Sequence, residues 1–153
     1  AKSILKSQNI KLFILGEGED KSLLQHQIKQ LNLETYIQLL GFKENPYPYI
    51  KNAKFLTLTS KFEGLPMVIL EALNLNTPVI SYNCPSGPSE MVIHNKNGLL
   101  VENQNQEKLI EAMNSLVLYP DKLNDLAKNS HDYLLPYTSK SHLNYWENLF
   151  KNL

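Results

Sequence analysis

The stretch "SKFEGLPMVILEALNLNTPVIS", Ser60 to Ser81, passes through three kinds of local structure. Ser60 to Leu65 carries charge, a glycine and no apolar period, which reads as a loop. Pro66 suits the first position of a helix, because its fixed φ is already helical and its missing N–H would find no intrahelical acceptor there. Met67, Val68, Ile69 and Leu70, followed by Ala72, Leu73 and Leu75, extend that helix to about Leu75. "TPVISY" (Thr77 to Tyr82) is β-branched and apolar and reads as a buried strand. Another strand pattern, "KFLTLT" (Lys54 to Thr59), precedes the loop, so the stretch is the centre of a β-α-β unit.

The same alternation extends in both directions. "IKLFIL" (Ile10 to Leu15) is a strand pattern ended by Gly16, Glu17, Gly18 and Glu19; Lys21 to Leu33 follows with Leu23, Leu24, Ile28 and Leu31 at helical spacing. "YIQLLG" (Tyr36 to Gly41) is a further strand, and "NPYPYIKNA" is a short helix or turn leading into Lys54. The loop "NCPSGPSE" precedes a short helix around Ser89 to Ile93, which Ser86 or Ser89 is placed to cap. "NKNG" is a turn, and "GLLV" (Gly98 to Val101) is a fifth strand. From Gln104 onward the chain reads as helix, interrupted near Pro120 and Pro136. Strands alternating with helices at this spacing predict an α/β fold, a parallel sheet flanked by helices. The final segment, "HLNYWENLFKNL", puts Leu143, Trp146, Leu149, Phe150 and Leu153 on one helical face. That face is expected to pack on its own domain; the other reading is docking on a neighbouring domain.

At 153 residues the chain fits a single domain, residues 1–153, with a helical extension from about residue 104. Apolar residues at 42% and charged residues at 20% can build a core and exclude a disordered chain. Fifteen basic and fifteen acidic residues cancel, which argues against a dedicated nucleic-acid binder. Every basic residue is lysine, so an anion site in this chain must use ammonium and backbone N–H groups instead of a bidentate guanidinium. The single cysteine, Cys84, excludes an internal disulfide and fits a reducing, cytoplasmic compartment. No histidine stands near it in sequence, so it reads as inert. No apolar run approaches the ~20 residues that cross a bilayer, and Ala1 to Lys11 lacks a signal-peptide core. "AKSILKSQN" reads instead as the last turns of a helix stopped at Asn9, and the chain as a piece of a longer protein. His26, His94, His131 and His142 are scattered without metal-ligand spacing.

Glu63 and Glu71 have seven residues between them. Glu71 falls roughly 7 to 8 Å along the predicted helix, at about 1.5 Å per residue. A helix this apolar is expected to be buried on both sides, and burying an unpaired carboxylate costs several kcal/mol. Glu71 therefore needs a partner or a cleft. A carboxylate accepts well from two adjacent hydroxyls, such as a ribose diol. Gly64, just before the helix, lets a ligand approach the backbone, and the free N–H groups of the first turn favour an anion such as phosphate. Plain alternatives stand beside this: Glu63 as an acid near a helix N-terminus, and Glu71 paired with a lysine on a narrow exposed stripe.

With both glutamates placed, the stretch resembles the signature of family 4 glycosyltransferases of the GT-B fold. "LFILGEGED", "IQLLGF", "SKFEGLPMVILEAL", "TPVIS", "GPSEMV" and "NGLLV" follow in that family's order and approximate spacing, from about Ile10 to Leu116. The resemblance implies the C-terminal, nucleotide-sugar-binding half of a retaining hexosyltransferase: a Rossmann-like domain lacking its first strand, with the acceptor-binding N-terminal domain outside this chain. On that reading Glu71 holds the ribose hydroxyls of the donor nucleotide, a UDP-sugar. Glu63 is the catalytic-centre residue, facing the donor sugar hydroxyls. The backbone at Gly64, Leu65 and Pro66 approaches sugar and diphosphate. Phe42 and Lys43 lie where the family places the base, and Gly16 and Gly18 match a glycine turn lining the same cleft. A plain strand-to-helix turn for Gly16 and Gly18, a core aromatic for Phe42, and solvated side chains for Lys43 and Lys61 remain open. In "CPSGPSEMV", helix capping accounts for Glu90 as well as ligand binding does. Asn76 stands where the family usually has glycine, and asparagine tolerates the left-handed cap.

The family's basic residues that stabilise the leaving diphosphate would precede Ala1, so this chain by itself is expected not to catalyse transfer. The implied chemistry uses no metal and no other cofactor; the nucleotide sugar is a substrate. The implied partners are that donor and, through the N-terminal domain, a glycan or lipid-linked acceptor, with no nucleic acid. The implied setting is bacterial surface-glycan synthesis (lipopolysaccharide, capsule) in the cytoplasm, with room for peripheral association of the full-length enzyme at the inner face of the membrane. Two other readings stay open: a GT-B sugar-nucleotide epimerase and a non-catalytic nucleotide-binding module. A generic dinucleotide fold is disfavoured, because "GEGEDK" lacks G-x-G-x-x-G.

Overall fold

The strand read from "TPVISY" is buried at every position from Val79 to Tyr82 in the computed structural model, which describes residues 2–152. In chain order the elements are α1 (Lys2–Ser7), β1 (Leu12–Leu15), α2 (Lys21–Gln30), β2 (Ile37–Gly41), α3 (Tyr47–Lys51), β3 (Leu56–Leu58) and α4 (Met67–Asn74). They continue with β4 (Val79–Tyr82), α5 (Pro88–Met91), β5 (Gly98–Val101), α6 (Gln106–Leu118), α7 (Pro120–Asn129), a 3-10 turn (His131–Tyr137) and α8 (Ser139–Lys151). All five expected strands form, and every pairing is parallel, which is the expected α/β arrangement. The chain divides into two compact units between Pro48 and Tyr49.

In the first unit β1 and β2 pair from Leu12↔Ile37 to Leu15↔Gly41, with Ile4, Leu5 and Leu33 buried. In the second, the order β3-β4-β5 makes β4 central, which explains its continuous apolar run: a parallel strand covered on both faces has no polar side. Alternate residues of β4 serve opposite faces. Val79 joins Ile50, Ile69, Ala72, Leu73, Met91, Val92 and Leu134 in one cluster. Ile80 and Tyr82 join Leu99, Val101, Leu116 and Leu126 in the other.

Three helices end in the same way, on asparagines in the left-handed region: Asn9 (φ 49), Asn32 (φ 51) and Asn76 (φ 56). After α4, Thr77 N–H donates to Ala72 O at 2.9 Å and Asn76 N–H to Leu73 O at 3.0 Å, the paired bonds of a Schellman cap. α1 and α2 repeat the pattern through Ile10 to Leu5 and Leu33 to Ile28, both 3.0 Å. Asn9 thus stops α1 as expected, and Asn76 fills its glycine-like role. Replacing Asn76 by alanine is expected to cost about 1 kcal/mol, because a Cβ without a local hydrogen-bonding group is disfavoured there; glycine should be neutral or slightly stabilising. Urea midpoints of the two variants check this, and an alanine variant as stable as the parent would refute it.

The structure corrects four expectations. Pro66 is the N-cap of α4 (φ −72, ψ 87), so the first helical residue is Met67. α4 is not buried all round: Ile69, Ala72 and Leu73 are buried, Glu71 is half-buried and Met67 is exposed. Neither Ser86 nor Ser89 caps α5; its N-cap is Gly87, with φ 95. On α8, the face expected to pack on its own domain stands open, with Leu143, Trp146 and Phe150 all more than half exposed. Its first turn is tied down by Ser141 Oγ donating to Leu135 O at 2.6 Å. Beyond that turn Trp146 stacks on Phe150 with ring centroids 5.9 Å apart, aromatic on aromatic. Leu153, assigned to the same face, lies outside the described residues.

Candidate functional site

In parallel α/β sheets, ligands bind outside the carboxyl ends of the strands, where the loops leave. In the second unit three such loops meet. Glu63, in the loop after β3, donates its N–H to Pro85 O at 3.0 Å, and its carbonyl accepts from Ser86 N–H at 3.0 Å, so the loops after β3 and β4 are bonded both ways. Asn103, after β5, donates from Nδ2 to Lys61 O at 3.4 Å. Gly87 completes the junction: a Cβ there would collide with the Gly64 carbonyl oxygen and lie 2.7 Å from Pro66 Cδ. Tyr137 pins the helix that follows, its hydroxyl donating to Glu90 O at 2.8 Å. Burial, and then the Glu90 charge, hold that phenol above its ordinary pKa.

The two glutamates differ in environment. Glu63 is half-buried, and its Oε1 accepts from Ser60 Oγ at 2.6 Å. Glu71 is half-buried on α4, and its carboxylate has no hydrogen bond or ion pair among the described residues. A lysine partner for Glu71 is therefore not formed. Pro66 supplies no side-chain cap to α4, so the N–H groups of Met67 and Val68, at the uncapped start of the helix, carry its partial positive charge. A Cβ on Gly64 would meet nothing within 4 Å, so packing does not require glycine there. Leu65 is exposed beside it. Cys84 is buried behind this loop; desolvation first, and then the Glu63 charge, push its thiol up, which keeps it protonated and inert.

Of the other candidates, Gly16, Gly18, Phe42 and Lys43 belong to the first unit and Lys61 to the second. Gly16 has φ 120, so the backbone of the turn itself demands glycine. At Gly18 a Cβ would meet open space. The intervening Glu17 pairs with Lys21 at 3.0 Å, which holds its carboxyl below the usual range. Phe42, 74% exposed, is not the core aromatic that a strand end suggests. Lys43 is half-buried and Lys61 exposed. Ser60, Gly87 and Asn103 were not singled out by sequence reasoning. Only Ser60 carries a local signal, its i, i+3 spacing to Glu63. Among the described residues no group of three His, Cys, Asp or Glu side chains could hold a metal ion, and no helix is long and apolar enough to cross a membrane.

The second unit is thus a parallel α/β arrangement with Glu63 in a strand-end loop and Glu71 on the helix that follows it, whose start carries no side-chain cap. The chain belongs to the glycosyl transferases group 1 family, whose model matches residues 1–133. It is 46% identical over 87 residues to an uncharacterised glycosyltransferase of Methanocaldococcus jannaschii, covering 57% of this chain and 21% of that protein. It is 39% identical over 121 residues to the N-acetylgalactosamine-N,N'-diacetylbacillosaminyl-diphospho-undecaprenol 4-alpha-N-acetylgalactosaminyltransferase of Campylobacter jejuni, covering 79% of this chain and 33% of that one. Among solved structures, a variant of S. aureus TarM in complex with fondaparinux, alpha-GlcNAc-glycerol and UDP superposes with a TM-score of 0.88 at 30% identity, covering 98% of this chain and 31% of that chain. The chain thus spans about a fifth to a third of the length of the curated relatives named here.

Proposed function

We propose that this chain is the nucleotide-sugar-binding part of a retaining family 4 glycosyltransferase that moves a hexose from a UDP-sugar to an acceptor hydroxyl. The observation that carries the reading is Glu71, a half-buried carboxylate without a partner among the described residues, on the helix that starts beside the Glu63 loop. Glu71 accepts both ribose hydroxyls. The first-turn N–H groups of α4 and the Gly64–Pro66 backbone meet the diphosphate, and Glu63 meets the sugar hydroxyls. The parts at the base for Phe42 and Lys43, and at the cleft for the Gly16 turn, are those the family resemblance implies. In the reaction the acceptor oxygen forms a bond to the anomeric carbon while the bond from that carbon to the diphosphate oxygen breaks. Negative charge builds on the leaving phosphate, where N–H dipoles and cations from the rest of the protein stabilise it. The acceptor proton leaves with that phosphate.

UDP as the donor nucleotide is supported by the UDP in the TarM complex. A lipid-linked acceptor in surface-glycan synthesis is supported by the diphospho-undecaprenol acceptor that the C. jejuni relative's name specifies, and peripheral membrane association of the full-length protein would follow. Metal independence belongs to the same reading. The test is calorimetric titration of the full-length protein and its Glu71→Ala variant with UDP. Equal affinities would end the assignment.

A further inference from the structure

The backbone of Glu63 is clamped at both ends of the residue, its N–H to Pro85 and its carbonyl to Ser86. What remains free is the side chain, whose rotamers present the carboxylate in quite different directions. Among the described residues one donor holds that carboxylate: the Ser60 hydroxyl, 2.6 Å from Oε1. Its length is that of a charge-assisted O–H···O⁻ bond, which is stronger and more directional than a neutral one. Oε2 makes no hydrogen bond with a described residue.

We propose that Ser60 is a positioning residue for the donor sugar: by holding Oε1 it fixes the plane of the Glu63 carboxylate and leaves Oε2 aimed at the sugar hydroxyls. The inference rests on the reading of Glu63 as the group that meets the sugar. It makes the Ser60–Glu63 pair the working unit, because a carboxylate free to rotate would have to be ordered anew at each turnover. A serine that merely shapes the loop would act differently. Its loss would disturb the loops after β3 and β4 together, and with them stability and nucleotide affinity.

The experiment uses the full-length protein and the UDP-sugar it turns over, comparing S60A, S60T, E63A and the S60A/E63A double variant. S60A is expected to lower kcat about tenfold, the scale of one charge-assisted hydrogen bond. Its affinity for UDP, which lacks the sugar, and its melting temperature should stay at parental values. S60T, which keeps the hydroxyl, should recover most of the loss, and S60A should add nothing in the E63A background. Full activity of S60A, a matching loss of UDP affinity, or independent effects of the two variants would overturn the positioning role while E63A still loses turnover. If E63A itself turns over donor at the parental rate, the reading of Glu63 falls and this inference with it.

Discussion

Glu71→Ala is expected to lower the affinity for UDP about a hundredfold, because the two ribose hydrogen bonds that the proposed function assigns to its carboxylate would vanish together, each contributing ~1.5 kcal/mol or more. The same substitution should leave thermal stability unchanged or raise it by up to about 0.5 kcal/mol. It removes a half-buried carboxylate that has no partner among the described residues and installs the best helix former at the middle of α4. Opposite signs are the diagnostic. A structural residue loses stability and affinity together, whereas a ligand-facing one loses affinity alone. Glu71→Gln should fall between, since an amide offers one acceptor oxygen and no charge. Parental affinity in the alanine variant would leave the carboxylate unexplained.

The features that were legible from sequence alone are those set by local chemistry. The Val79–Tyr82 run could hardly be anything but a strand covered on both faces. Asn76 and Asn9 stop their helices because asparagine is the side chain after glycine that best tolerates the left-handed region. Glu71 stood out because a carboxylate in an apolar helix contradicts its surroundings. Pro66 misled by one position: proline is equally compatible with the residue before the first turn, and only the backbone angles decide. Gly87 and Asn103 could not be read, because their work is done on residues more than twenty positions away in sequence, at Gly64 and Lys61. Helix α8 shows the limit of periodicity. The amphipathic pattern correctly predicted a face, but a pattern carries no information about what covers it.

The loops at the strand ends contain two glycines whose replacement should differ in stability and agree in turnover. Gly87→Ala is expected to cost about 3 kcal/mol. Its φ of 95 is strained for any residue with a Cβ, by ~1–3 kcal/mol. The added methyl would also drive the Gly64 carbonyl and the Pro66 ring away, at ~1–3 kcal/mol for overpacking. Displacing Gly64 would also move Glu63, so on the proposed function donor turnover should fall with stability. Gly64→Ala meets open space and should change stability by less than about 0.5 kcal/mol, with a small gain from a less flexible unfolded chain. On the proposed function, turnover of the UDP-sugar should nevertheless fall, because the methyl would stand where that reading brings the sugar and diphosphate to the backbone. Urea unfolding separates the two variants, and steady-state kinetics of the full-length protein should unite them. A Gly64→Ala protein that turns over its donor normally would mean that the open space beside Gly64 is solvent and not a seat for the sugar.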